Sequence, residues 1–221
     1  AETAALFPNS FGDDGLPVGW KLGQVSELCK RIENGGTPKR DKADYWDPKE
    51  VNWLTSGEVR APIIINTENF ISVAGFENSS AKLWPPKTTV VALYGATAGQ
   101  VTYLALETTA NQACCGLQAL EDCSQYVFFA LSTSTERLAL GARGSAQQNL
   151  SKGLVSEFEV KIPSSAVLRA FDNVTASLTE KSIANLDENQ TLTELRDTLL
   201  PKLMSGEIRV KDAEREVEAA V

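Results

Sequence analysis

Residues 163–210 read PSSAVLRAFDNVTASLTEKSIANLDENQTLTELRDTLLPKLMSGEIRV, and this stretch decides the fold. Its apolar positions are Val167, Phe171, Val174 and Leu178, then Ile183 and Leu186, then Leu192, Leu195 and Leu199. Steps of three and four are the spacing of one helix face. Longer jumps after Leu178 and Leu186 make that face drift, as in a coiled coil with discontinuities. Pro163 ends whatever precedes the helix, and Ser164 or Ser165 can cap it. Asn185, Asn189 and Gln190 lie close to the stripe, where buried amides fix register. At 1.5 Å per residue, Ser165–Leu200 spans roughly 54 Å. Too little chain remains to wrap such a rod. The stripe Phe171, Val174, Leu178, Ile183, Leu186, Leu192, Leu195 and Leu199 is therefore expected to meet another helix, from a partner or from a further part of the same protein. Pro201 is expected to kink or stop the rod. Leu203, Met204 and Ile208 can then fold back as a short piece, and residues 211–221 (KDAEREVEAAV) are expected to fray.

Upstream of the rod the periods shorten. Residues 88–93 (TTVVAL) read as a buried strand, and 100–106 (QVTYLAL) as its hairpin partner across GATAG. Residues 51–54 (VNWL), 60–67 (RAPIIINT), 112–120 (QACCGLQAL) and 158–162 (FEVKI) read as further strands. Residues 20–32 fit a short helix or a strand–helix step, 34–46 a polar loop, and 125–140 a helix. Residues 1–19, rich in Gly, Pro, Asn and Asp, read as a linker or docked arm. The fold class is α+β: a globular domain of short strands and a few helices over 20–163, then a long coiled-coil-type helical region over 164–210.

The 221-residue chain is 43% hydrophobic, enough for a real core, and carries a net charge of −8. That charge argues against general polyanion binding. It is unevenly placed: residues 20–160 carry 13 Lys and Arg against 15 Asp and Glu. The globular part can thus present a basic face, with Lys30, Arg31, Lys39, Arg40 and Lys42 in one cluster and Arg137, Arg143 and Lys152 in another. Cys29, Cys114, Cys115 and Cys123 form no CxxC pair and there is no histidine. Buried free thiols in a reducing cytoplasm are expected, with no metal site. No signal peptide opens the sequence and no run of 18 apolar residues occurs, so a cytoplasmic location without membrane contact is expected.

Catalytic signatures are missing. Without histidine there is no Ser–His–Asp or Cys–His pair. Gly95–Gly99 lacks the Lys-Ser/Thr of a phosphate-binding loop. No Asn/Asp-Pro-Pro-Tyr occurs. Glu157, Glu159 and Lys161 resemble the tail of a nuclease motif but lack a fitting upstream acid. Alternating charge on the wet face of a strand explains them.

Recognition is better supplied. Asn and Gln pair bidentately with adenine, and Arg or Lys with guanine. Asn111, Gln112, Ser145, Gln147, Gln148 and Asn149 are candidate DNA contacts on glycine-hinged loops. Thr37, Lys39 and Arg40 follow Gly35-Gly36 and suit phosphate, as do Arg143 and Lys152. The alternative for Asn111 and Asn149 is internal bracing, and for Gly95, Gly99 and Gly144 tight turns with positive φ.

In ordered segments the chain resembles the DNA-specificity (S) subunit of type I restriction–modification systems. The segments are Leu16–Trp20 (LPVGW), Asn34–Pro38 (NGGTP) with Tyr45-Trp46, Trp53–Val59 (WLTSGEV) and Val91–Gly99 (VALYGATAG). Thr109–Gln112 (TANQ), Gly144–Gly153 (GSAQQNLSKG) and Asn189–Val210 complete the set. The resemblance implies one target-recognition domain and one helical region, where a full subunit has two of each. The beginning and end of the sequence resemble the C-terminal half. It further implies a non-catalytic subunit that reads one half-site of a split double-stranded DNA target. Methyltransferase (M) subunits would bring S-adenosylmethionine, and a restriction (R) subunit ATP and Mg, with no cofactor on this chain. Pairing with a second helical half, or an antiparallel self-dimer on a palindromic site, is expected. The competing function is a helical assembly or regulatory module for the methyltransferase complex that never touches DNA.

Overall fold

In the computed structural model, residues 8–143 and 149–220 are described. They form β1 (Lys21–Gln24), β2 (Cys29–Asn34), β3 (Val51–Leu54), β4 (Ile63–Ile64), β5 (Phe70–Ile71), α1 (Val73–Glu77) and β6 (Thr89–Ala92). There follow β7 (Val101–Leu104), β8 (Thr109–Ala110), β9 (Cys114–Ala119), α2 (Ser124–Ser132), α3 (Thr135–Arg143), α4 (Lys152–Ser156) and β10 (Glu159–Ile162). Two helices close the chain, α5 (Ser165–Ser205) and α6 (Val210–Ala220). The class is α+β. Two compact units divide at Ala176/Ser177, within α5.

The first unit is built on a five-stranded sheet of order β2-β9-β6-β7-β4, antiparallel except where β4 runs with β7. The TTVVAL run is a strand buried on both faces, which explains its unbroken apolar character. Val91 and Leu93 point into a core with Leu117, Val127, Phe128, Leu131 and Leu138. Val90 and Ala92 point the other way, among Leu54, Ile64, Trp84 and Leu104. The same alternation sends the adjacent thiols apart: Cys115 joins the first core and Cys114 the second. Trp53 and Trp84, at 2% and 0% exposure, are core residues. A small sheet β5-β3-β8 and the pair β1-β10 complete the unit.

Several expectations change. The 60–67 strand shrinks to Ile63–Ile64, and the 125–140 helix breaks at Thr133, whose hydroxyl donates to the Phe129 carbonyl at 2.7 Å. The described part of the N-terminal arm is a small hairpin: Val18 N–H donates to Ser10, and Gly12 N–H to Leu16.

The rod is helical throughout, but its first turns belong to the globular unit. Val167 and Leu168 are buried, and Phe171 meets Tyr126 and Phe129 edge-on, 5.9 and 5.8 Å between centroids. Asp172 Oδ1 accepts the Gln125 N–H at 2.9 Å at the start of α2. Phe171 is thus packed on aromatic residues of its own globular unit. The boundary at 163/164 likewise moves, because the globular unit takes the chain up to Ala176.

In the second unit, Pro201 neither stops α5 nor sets its end. Gly206 does, with φ of +76°, as Gly206 N–H donates to Leu203 and Glu207 N–H to Lys202. The tail is also corrected: 210–220 is helical rather than frayed. Its Val210, Ala213 and Val217 line an apolar groove of about 480 Å³ with Leu192, Leu195 and Leu199. Ala213 and Leu199 are buried there, so Leu199 is also spent inside its own unit. No helix among the described residues is long and apolar enough to cross a membrane.

Candidate nucleic-acid interface

Strand direction gathers the loops. β2 and β6 end, and β7 and β9 begin, at the same end of the five-stranded sheet. The connections leaving that end are NGGTP after β2, YGATAG between β6 and β7, and Asn111–Ala113 before β9. Leu93 ties in a fourth: its N–H donates to Ala113 at 2.7 Å, and its carbonyl accepts the Leu150 N–H at 2.9 Å. Residues 35–37, 94–99, 111–113 and 149–152 therefore share one end of the domain.

The glycines of NGGTP allow a close approach. Gly36 N–H donates to the Ala110 carbonyl at 2.8 Å, and a Cβ on Gly36 would stand 2.4 Å from the Ser80 carbonyl carbon. Trp53 Nε1–H donates to the Gly36 carbonyl at 3.1 Å. So fixed, the loop brings Thr37 to Gln112, and the Thr37 hydroxyl donates to Gln112 Oε1. Gln112 is exposed, and Thr37 holds its carboxamide through Oε1.

Asn111 behaves differently. Its Oδ1 accepts the Ala113 N–H at 3.0 Å, so it braces its own turn. Asn149 is half-buried and Lys152 exposed at the start of α4, which Ser151 caps by accepting the Leu154 N–H at 3.1 Å. Lys39 and Arg40 are exposed beyond Thr37. Trp46 Nε1–H donates to the Lys39 carbonyl at 3.2 Å, and the Arg40 guanidinium lies over Trp46. Ser145, Gln147 and Gln148, and the side chain of Arg143, lie outside the described residues. Arg137 is elsewhere, stacked on Phe158 at 4.7 Å.

Burial pushes the Cys115 thiol up to about 12, against a smaller pull from the Lys152 charge. The same cause raises Cys114. Neither is a nucleophile at neutral pH. Glu159 and Lys161 alternate outward on β10, and no metal-holding group of acids and thiols occurs among the described residues.

This end of the sheet offers amide and hydroxyl edges with cations beside them, the inventory for reading nucleic acid. A family model described as "type I restriction modification DNA specificity domain" matches residues 17–188. The chain belongs to that family.

The HindI specificity subunit of Haemophilus influenzae is 30% identical to this specificity domain, the match covering 94% of the chain and 48% of the relative. The MjaIX specificity subunit of Methanocaldococcus jannaschii is 22% identical, covering 90% and 47%. The chain spans about half the length of the curated relatives it matches. Among solved structures, an S subunit from M. genitalium superposes with a TM-score of 0.63 at 16% identity, over 84% of this chain and 46% of that one. The S subunit from Thermoanaerobacter tengcongensis gives 0.55 at 17%, over 93% and 49%. These last likenesses show the fold. As a specificity domain, the chain is a recognition component and not a catalyst.

Some shared segments of this specificity domain hold it together. In WLTSGEV, Glu58 accepts the Thr55 N–H at 2.8 Å and the Glu68 N–H at 2.9 Å, so it closes a turn. Gly95 and Gly99 have φ of +72° and +85°, as tight turns need. Two residues at this end escaped the sequence reading. Tyr94 is an exposed aromatic at the turn, and Trp46 is the platform beneath Arg40. An aromatic beside a glycine-rich turn is a signal that could have found the first. Nothing in the spacing points to the second.

Proposed function

We propose that this specificity domain reads one half-site of a bipartite double-stranded DNA target within a type I restriction–modification complex. The observation that carries the reading is Gln112: exposed, held by Thr37, and set among other polar loops at one end of a rigid sheet. Gln112 and Asn149 would read base edges, and Lys39, Arg40 and Lys152 would grip phosphates. Arg143, Ser145, Gln147 and Gln148 belong to the same proposed surface. The chain itself needs no cofactor for this. Methyltransferase subunits would dock on it, carry S-adenosylmethionine and extrude the target adenine. A restriction subunit would bring ATP and Mg. The α5 rod would set the distance to a second helical half or a second copy, with Val174, Leu178, Ile183, Leu186, Leu192 and Leu195 available for that pairing.

Fluorescence anisotropy on labelled duplex pools, with and without the methyltransferase subunit, tests the reading. The expected result is salt-dependent binding that selects a subset of sequences. Failure to bind any duplex even in the assembled complex overturns it and leaves the helical assembly module standing. Sedimentation of the chain with Leu178→Asp tests the pairing face, where weaker association is expected.

A further inference from the structure

The turn after β6 carries an aromatic side chain that the fold does not use. Tyr94 is 37% exposed. Among the described residues its ring meets no other ring or cation, and its hydroxyl has no hydrogen-bond partner. Phe129 is as exposed but is spent internally, on Phe128 and Phe171 at 5.1 and 5.8 Å. A ring left in water without such contacts contributes little to folding.

The backbone beneath that ring is tightly fixed. Leu93, the preceding residue, is fully buried and bonds to both Ala113 and Leu150. The Tyr94 carbonyl accepts the Thr97 hydroxyl at 3.4 Å, and Gly99 N–H closes the turn on the Ala92 carbonyl at 2.9 Å. Gly99 is wedged against α3, where a Cβ would stand 2.9 Å from the Ala139 nitrogen. An aromatic side chain with few torsions on so fixed a backbone loses little entropy when it meets a ligand.

Position identifies the partner. Ala113 follows Gln112 and Leu150 follows Asn149, so the two Leu93 bonds set Tyr94 between the two amides proposed to read base edges. In the major groove the thymine C5-methyl is the apolar group among those edges. A methyl offers nothing to an amide's hydrogen bonds, whereas an aromatic ring gains by covering it. We infer that Tyr94 packs its ring on the C5-methyl of a thymine and so fixes a base pair beside those read by the amides. The inference rests on the DNA reading of this end of the sheet and adds an apolar contact to it.

The test uses the full chain with the methyltransferase subunit and the duplex that this complex selects. Each thymine of the selected site is replaced in turn by deoxyuridine, which lacks only the methyl, and affinity is read by anisotropy. One replacement is expected to weaken parental binding about fourfold, the worth of one buried carbon. Tyr94→Ala should bind the thymine duplex at least that much more weakly and be indifferent to the same replacement. Tyr94→Phe should keep the parental response, because the ring and not the hydroxyl makes the contact. Both variants should melt with the parent, since no internal contact is lost. Parental discrimination of thymine from deoxyuridine in Tyr94→Ala overturns the inference, as does a selected site with no sensitive thymine. Equal losses in Tyr94→Phe and Tyr94→Ala overturn it too, since the contact would then belong to the hydroxyl. These three outcomes leave the DNA reading in place, because the parent still selects a duplex. A parental complex that selects none overturns both.

Discussion

The guanidinium carbon of Arg40 lies 5.0 Å from the ring centroid of Trp46, which itself meets Trp53 edge-on at 5.0 Å. The buried Trp53 anchors the pair through its bond to Gly36. An exposed cation is thereby given a preferred orientation without an ion-pair partner among the described residues. Lysine cannot reproduce the planar stack. Arg40→Lys is expected to lose about 0.5–1 kcal/mol of duplex affinity, the worth of an exposed cation–π contact. The salt dependence should be unchanged, because the charge is kept. Arg40→Ala should weaken binding further and lower the salt slope by about one. Anisotropy across a salt series measures both, and an unaltered slope in Arg40→Ala removes Arg40 from the phosphate contacts.

Gln112 and Asn111 are neighbours with opposite expectations. Gln112→Ala should relax selectivity at one base position by about 1–3 kcal/mol. Its melting temperature should hold, since the residue is exposed. Asn111→Ala should instead cost about 0.5–1.5 kcal/mol of stability through the lost bond to Ala113. Binding selections on randomised duplexes, run beside urea denaturation, separate the two. A destabilised Gln112→Ala with parental selectivity would make that residue a brace.

The terminal helix should depend on Leu199. Leu199→Ala removes a buried side chain from the groove between α5 and α6, at about 2–5 kcal/mol for a well-packed leucine. Hydrogen exchange is expected to accelerate over 210–220 while the globular unit keeps its protection. Unchanged exchange over that segment would show α6 to be held by something other than this groove.

The thiols give a pH dependence. Burial pushes Cys29 and Cys115 from an ordinary 9.0 up to about 12. The folded chain then holds these protons more tightly than the unfolded chain does. Their contribution is fully present below pH 9 and is lost as pH rises from there through 12. Chemical denaturation at pH 8 and pH 10 should show lower stability at the higher value. Cys115→Ala should flatten part of that decline.

Much of the architecture was legible in one dimension. TTVVAL, GATAG and QVTYLAL announced a central hairpin, because short apolar runs and a glycine turn are local properties. The α5 rod was legible for the same reason: three- and four-residue spacing persists whatever the partner. Periodicity says which face is apolar and not what covers it. Phe171 and Leu199 therefore looked like free seam positions, and each is covered within its own unit. The tail looked too charged to hold, yet Val210, Ala213 and Val217 recur at helical spacing opposite a leucine-rich face.

The site divides along the same line. Composition and order of the loops sufficed to raise DNA reading and to place the chain near its family. Adjacent amides part company in the fold: Gln112 takes Thr37, far along the chain, while Asn111 turns back on Ala113. Local chemistry is written residue by residue; convergence is a property of the closed sheet.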